Sequence, residues 1–399
     1  MRSHSLSIAA AVACLMAACA PLPSVQASAL IQGPSVLAQG ERVRLQLVAR
    51  LDRAAAQETA DGLAGDIVVQ HGVRLYRMTY RSQINGRAID ASAVVAVPDG
   101  PEGVRGLVLY LRGSEFSRSA APTASNAFWT TEAAVFGGNG FAVVVPDYIG
   151  MGASPSPQAF LLTEENVADF RAALTAVATA LDLERRTPLF ITGFSQGGQL
   201  SAALHRDLEA TPLRGFDLKA TVSVAGPHEL VETFARRVQE PLASNPMAIG
   251  LVAWGAYSLA TREGRPLDEV FTATYVPRVP NWFGGDMEMM QIAPEFPSHV
   301  DQIFQPAFLQ SLRSGEDFWF TRRLKANETY DWAPRAPLRV VLGGADTQVD
   351  PQASRIFYET ARARGGNVSI LETPGLSHQQ TGDSAFATTL AWFETMVPQ

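Results

Sequence analysis

Residues 187–199, TPLFITGFSQGGQ, constrain the fold more than any other stretch of this chain. The run Leu189, Phe190, Ile191, Thr192 leads into Gly193-Phe194-Ser195-Gln196-Gly197, and Gln199, Leu200, Ala202, Ala203 and Leu204 then read as helix. The spacing predicts a strand, a sharp turn and a helix. Glycines two before and two after the serine remove the Cβ atoms that would collide as strand and helix approach. Such a turn lifts Ser195 Oγ into the open. The N–H of Gln196, at the helix start, then points at any negative charge that forms on a group attacked by that oxygen. The five-residue pattern alone recurs by chance, so its surroundings must carry the reading.

A length of 399 residues exceeds a single small core, and 47% hydrophobic with 18% charged residues describe a globular chain. A formal charge of −7 with no basic run excludes a nucleic-acid partner, because phosphate binding needs a basic surface. The chain opens like an export signal: Arg2 and His4, then an apolar stretch from Leu6 to Ala18 too short to span a bilayer. Met16-Ala17-Ala18-Cys19 resembles a lipobox and predicts membrane attachment through a lipidated Cys19; cleavage after Val25-Gln26-Ala27, leaving Ser28 first, is the alternative. Both cysteines, Cys14 and Cys19, lie in this segment, so the remaining sequence holds no thiol nucleophile and no disulfide. The sequence has no H-E-x-x-H and no cluster of His and carboxylates, and neither metal nor cofactor is expected.

Residues 41–62 fit both a helical spacing (Val43, Leu47, Leu51) and a strand alternation (Val43, Leu45, Leu47); a helix ending before Gly62 is the expectation. Strands are expected at 67–69, 73–80 and 91–97, the last two joined by an Asn85-Gly86 hairpin turn. Unbroken apolar runs at 106–111, 141–145, 189–192, 220–224, 338–342 and 368–371 predict buried, mostly parallel strands. Helices are expected at 124–136, from Thr163 with its hydroxyl as cap, after Ser195, after Asp350-Pro351 and from about Ser384. The glycines at 138–140 precede their strand and no G-x-x-x-x-G-K occurs, which excludes a nucleotide loop; Asp147 and Tyr148 read as loop structure. Between His228 and Ala336 no strand is evident, but an uncharged helix-length run at 248–260 and aromatic or Met-rich pieces such as Trp282, Phe283, Met287, Met290, Phe318 and Trp319 predict a mostly helical cap. Most of those side chains are expected in the cap's own core and the rest along an apolar pocket.

A serine nucleophile needs a base within hydrogen-bond reach and an acid that orients the base. Asp346, directly after an apolar strand, and His378, one helix and one strand later, supply them in the order Ser, Asp, His. Asp350 is the rival acid, though its place before Pro351 marks a helix cap, and Glu372 stands too near the base loop. Among the other histidines only His228 is retained as a pocket candidate. Arg112-Gly113-Ser114-Glu115 follows the strand at 106–111, where a second oxyanion N–H, from Gly113 or Ser114, would come from.

With Gly193-Phe194-Ser195-Gln196-Gly197, Asp346, His378 and Pro146-Asp147-Tyr148-Ile149-Gly150-Met151-Gly152, the chain resembles the α/β-hydrolase superfamily and, more narrowly, the secretory lipase family of the Candida lipase A type. The resemblance runs from about Asp66 to the C-terminus. It implies an α/β-hydrolase fold, a mostly parallel central sheet flanked by helices with an inserted helical cap. The expected division is 1–27 signal and tether, 28–227 first part of the core, 228–336 cap and 337–399 second part. Arg112-Gly113 stands where many esterases have His-Gly, so the expectation is a carboxylic ester hydrolase, esterase or lipase, on a small-molecule or lipid ester. A peptidase or acyltransferase on the same triad, or a non-catalytic binding protein with this fold, are the alternatives.

Overall fold

A computed structural model of the protein describes residues 36–40, 43–84, 86–100, 103–124, 129–183 and 186–397. The lipobox at Cys19, the alternative start at Ser28 and Asn85 of the hairpin turn lie outside them. One sheet of ten strands forms the centre. Strands β1 (Val36–Gly40), β2 (Val43–Leu51), β3 (Val73–Ile84) and β4 (Arg87–Pro98) are antiparallel, and β4 joins β6 antiparallel. Strands β5 (Gly106–Leu111), β6 (Phe141–Pro146), β7 (Thr187–Phe194), β8 (Phe216–Val224), β9 (Leu338–Gly343) and β10 (Val368–Thr373) run parallel, side by side in the order β6-β5-β7-β8-β9-β10.

Strand periodicity assigns each face its helices. Along β5, Leu107, Leu109 and Leu111 belong to one core with Phe170, Leu174 and Val177, and with Leu200, Leu204 and Leu208. Val108, between them, belongs to the opposite core with Ala56, Phe136, Phe386, Leu390 and Phe393. The helices concerned are α1 (Arg53–Asp61), α2 (Trp129–Val135) and the closing helix (His378–Glu394) for the second face, and α3 (Thr163–Ala180) and α4 (Gln196–Ala210) for the first. The chain passes from β5 to β6 on one side and then crosses to β7 on the other, so the loops after β5 and β7 diverge at a topological switch point, where open α/β sheets bind ligands.

Between β8 and β9 come α5 (Leu230–Arg237), α6 (Pro246–Glu263), several single helical turns, α7 (Pro306–Ser314) and α8 (Trp319–Ala326); the only strand pairing among these residues is an isolated bridge, Phe271 with Phe304. Trp282, Phe283, Trp319 and Phe320 are buried in this segment's core, whereas Met290 is exposed. The same core takes in Phe116, Ile149, Phe160 and Leu162 from loops at the sheet edge. Asn327 ties the segment to the elbow helix: its carbonyl accepts from Gln199 Nε2 at 2.8 Å. After β9, α9 (Pro351–Ala363) and the closing α10 (His378–Glu394) complete the chain.

Four expectations need correction. Residues 43–51 are strand, because Val43, Leu45, Leu47, Ala49 and Leu51 alternate inward against β3, and only Arg53–Asp61 is helix. Residues 67–69 pair with no strand among the described residues; Val69 N–H donates instead to Gln57 Oε1 at 2.8 Å, leaving Val68 65% exposed. Thr163 does not cap its own helix: its N–H is satisfied by Asn327 Oδ1 at 2.9 Å, from the insertion. The last helix begins at His378, six residues earlier than expected, because the Gln380 side chain accepts from Ser377 N–H at 3.0 Å and closes its first turn.

Candidate active site

Ser195 stands between β7 and α4 at φ 57° and ψ −118°, a conformation that strains any residue with a Cβ. Its N–H donates to Val224 C=O at 2.8 Å, which pins the turn to β8. The flanking glycines are there for space: a Cβ on Gly197 would lie 1.8 Å from Leu111 O, and one on Gly193 2.4 Å from Gly197 O. Gln196 is the first residue of α4, so its N–H is one of the helix's orphan donors.

Asp346 and His378 meet. His378 Nδ1 lies 2.6 Å from Asp346 Oδ2, and both residues are buried. The other carboxylate oxygen accepts from the N–H groups of Gln348 at 2.8 Å and Val349 at 2.9 Å, fixing the acid at the end of β9. Arg237, from α5, is buried beside it; burial draws its guanidinium down to about 10 while the Asp346 charge opposes. His378 is placed at the elbow by packing, its ring centroid 4.6 Å from that of Phe194, the neighbour of Ser195. Its Nε2 has no hydrogen-bond partner among the described residues, Ser195 Oγ included. Catalytic hydrogen bonds often tighten only when substrate binds.

Gly113 comes against the serine as well. A Cβ built on it would be 3.7 Å from Ser195 Cβ and 3.5 Å from Phe194. Beside Gln196 lies a cleft lined by Arg112, Glu115, Tyr148, Gln158, Asn166 and Trp254, with about 10 Å³ of free space, room for roughly one water. Gln158 Oε1, Asn166 Oδ1 and Arg112 Nε are buried there without a partner among the described residues. Burial pushes the Glu115 carboxyl up, opposed by Arg112.

The rivals are accounted for elsewhere. Asp350 caps α9, accepting from Gln352 N–H at 3.0 Å, and pairs with Arg236. Glu372 pairs with Arg355 at 3.0 Å. His228, retained from the sequence as a pocket candidate, is fully buried and bonded through both nitrogens, to Ser223 Oγ at 3.0 Å and Thr329 Oγ1 at 2.9 Å. Among the described residues no group of three His, Cys, Asp or Glu could hold a metal. What the sequence reading misses is the contact of Arg112 with Tyr148, whose ring centroid lies 4.8 Å from the guanidinium; the Asp147–Gly152 motif reads only as loop structure.

A sheet with a strained serine elbow, and a carboxylate and histidine paired at the same edge, define a hydrolase of the α/β class. The chain belongs to the α/β-hydrolase family, whose model matches residues 116–386. Its fold is similar to a Legionella pneumophila protein provisionally called a hydrolase, at 25% identity and TM-score 0.82, covering 89% of this chain and 98% of that one. It is also similar to a ligand-bound form of the rice cell wall degrading esterase LipA from Xanthomonas oryzae, at 20% identity and TM-score 0.73, covering 88% and 98%. Candida antarctica lipase A aligns at 15% identity and TM-score 0.65, covering 89% and 83%, in keeping with the resemblance drawn from the sequence. No curated protein matches this chain in sequence.

Proposed function

We propose that the protein is a serine carboxylic ester hydrolase that works through an acyl-enzyme. The observation that carries this reading is the Asp346–His378 pair at 2.6 Å packed against the residue next to a strained, semi-exposed Ser195. Ser195 Oγ attacks the acyl carbonyl carbon while its proton passes to His378 Nε2; Asp346 holds Nδ1–H and stabilises the imidazolium. The N–H of Gln196 and that of Gly113 or Ser114 take the oxyanion. His378 then returns the proton to the leaving alcohol, and a water, activated by the same nitrogen, deacylates Ser195.

A small-molecule or lipid ester is the substrate class that the esterase and lipase among the structural neighbours favour. The lipobox-like Met16-Ala17-Ala18-Cys19 supports an exported, lipid-anchored protein. No helix among the described residues is long and apolar enough to cross a membrane. The test is hydrolysis of p-nitrophenyl esters of graded chain length by wild type and Ser195→Ala. The expected result is turnover that falls at least about 10⁴-fold in the variant, with the chain-length optimum separating esterase from lipase. Folded wild type that hydrolyses none of them would contradict the proposal.

A further inference from the structure

The loop after β6, residues 147–152, has no part in the chemistry above, yet it holds a strained residue. Tyr148 sits at φ 72°, where a bulky side chain is a genuine outlier that persists only if its surroundings enforce it. They do: the ring packs 5.4 Å from Phe170, the Arg112 guanidinium lies 4.8 Å from its centroid, and its hydroxyl donates to Arg112 C=O at 2.8 Å. Burial pushes the phenol further up, so it stays a donor. Arg112 closes the arrangement, donating from Nη2 to Asp147 C=O at 2.9 Å and from Nη1 to Gly113 C=O at 3.2 Å.

A trans peptide is planar, with its C=O and N–H pointing opposite ways. The bond that fixes Arg112 C=O therefore fixes the direction of Gly113 N–H, and the bond that fixes Gly113 C=O fixes that of Ser114 N–H. Neither N–H has an acceptor among the described residues. Gly113 stands against Ser195, and the directions of both donors are thus fixed by bonds made on the far sides of their own peptides. We propose that Tyr148 and Arg112 are positioning residues of the oxyanion hole, the hydroxyl and the guanidinium together holding the Gly113-Ser114 peptides in register with the elbow. Neither side chain need touch the substrate. The inference rests on the ester hydrolase reading.

The experiment measures kcat and KM for p-nitrophenyl butyrate, the inhibition constant of a trifluoromethyl ketone, whose adduct with a serine carries an oxyanion, and the melting temperature. It compares full-length wild type, Ser195→Ala, Tyr148→Phe and Arg112→Lys. Deleting an oxyanion donor costs 10²- to 10³-fold, so mis-aiming one in Tyr148→Phe is expected to cost about 30-fold in kcat, with KM within about twofold. The ketone's affinity should fall by a similar factor, because it reports transition-state binding. Arg112→Lys keeps the charge but not both bonds and should lose about tenfold; it carries the test should Tyr148→Phe not fold. Tyr148→Phe with unchanged kcat and ketone affinity below its melting temperature, or with a change in KM alone, overturns the proposal while wild-type turnover lost in Ser195→Ala leaves the hydrolase reading standing. A wild type without turnover overturns both.

Discussion

Two buried histidines sit at the carboxyl edge of the same sheet, and they are built for opposite ends. His378 has one nitrogen on a carboxylate and the other without a partner among the described residues. His228 has neither: Ser223 Oγ donates to Gly198 C=O at 2.8 Å, so it must accept from His228 Nε2–H, and Nδ1 then accepts from the Thr329 hydroxyl. Burial without a nearby negative charge draws the His228 imidazole down to about 3, so it is a neutral strut between β8 and the end of the insertion. Burial does not distinguish the two; a carboxylate on one side and a free nitrogen on the other do.

Breaking the His378 side should have the largest effect. His378→Gln is expected to lower kcat by about 10⁴-fold or more with the fold intact, measured as p-nitrophenyl ester turnover. Asp346→Asn keeps the shape but removes the charge that fixes the tautomer, and on the order of 10³- to 10⁴-fold should be lost. Breaking the His228 side should leave chemistry alone and cost stability. His228→Gln is expected to keep kcat within about threefold and to lose about 1–3 kcal/mol in denaturant unfolding, the cost of unpaired buried groups. The pH dependence sharpens the contrast. With its folded value near 3 and its unfolded value near 6.5, His228 binds a proton only when unfolded in that interval, so wild-type stability should fall as pH drops from 6.5 towards 3. That slope should be shallower in His228→Gln.

The same contrast separates what is legible in the sequence from what is not. Ser195, Asp346 and His378 can be proposed because each follows a strand whose apolar run is local and unmistakable. The segment 43–51 is ambiguous because Val43, Leu47 and Leu51 satisfy both periods, and only pairing with β3, more than twenty residues on, decides it. Ile67, Val68 and Val69 have strand propensity but no partner, and propensity without a partner makes no strand. The insertion hides its architecture because residues such as Phe271, Phe304 and Phe308 are buried among neighbours from several short helices, which erases any period. The Tyr148–Arg112 contact spans 36 positions and exists only where two loops meet at the sheet edge. Its glycines announce a turn, not what the turn holds.

Whether Ser195 is a nucleophile served by His378 is decided by labelling folded protein with a fluorophosphonate and mapping the modified peptide. One phosphonylated residue, Ser195, is expected, with labelling slowed by orders of magnitude in His378→Gln and unchanged in His228→Gln. Label on another serine, or none on the folded wild type, would contradict it.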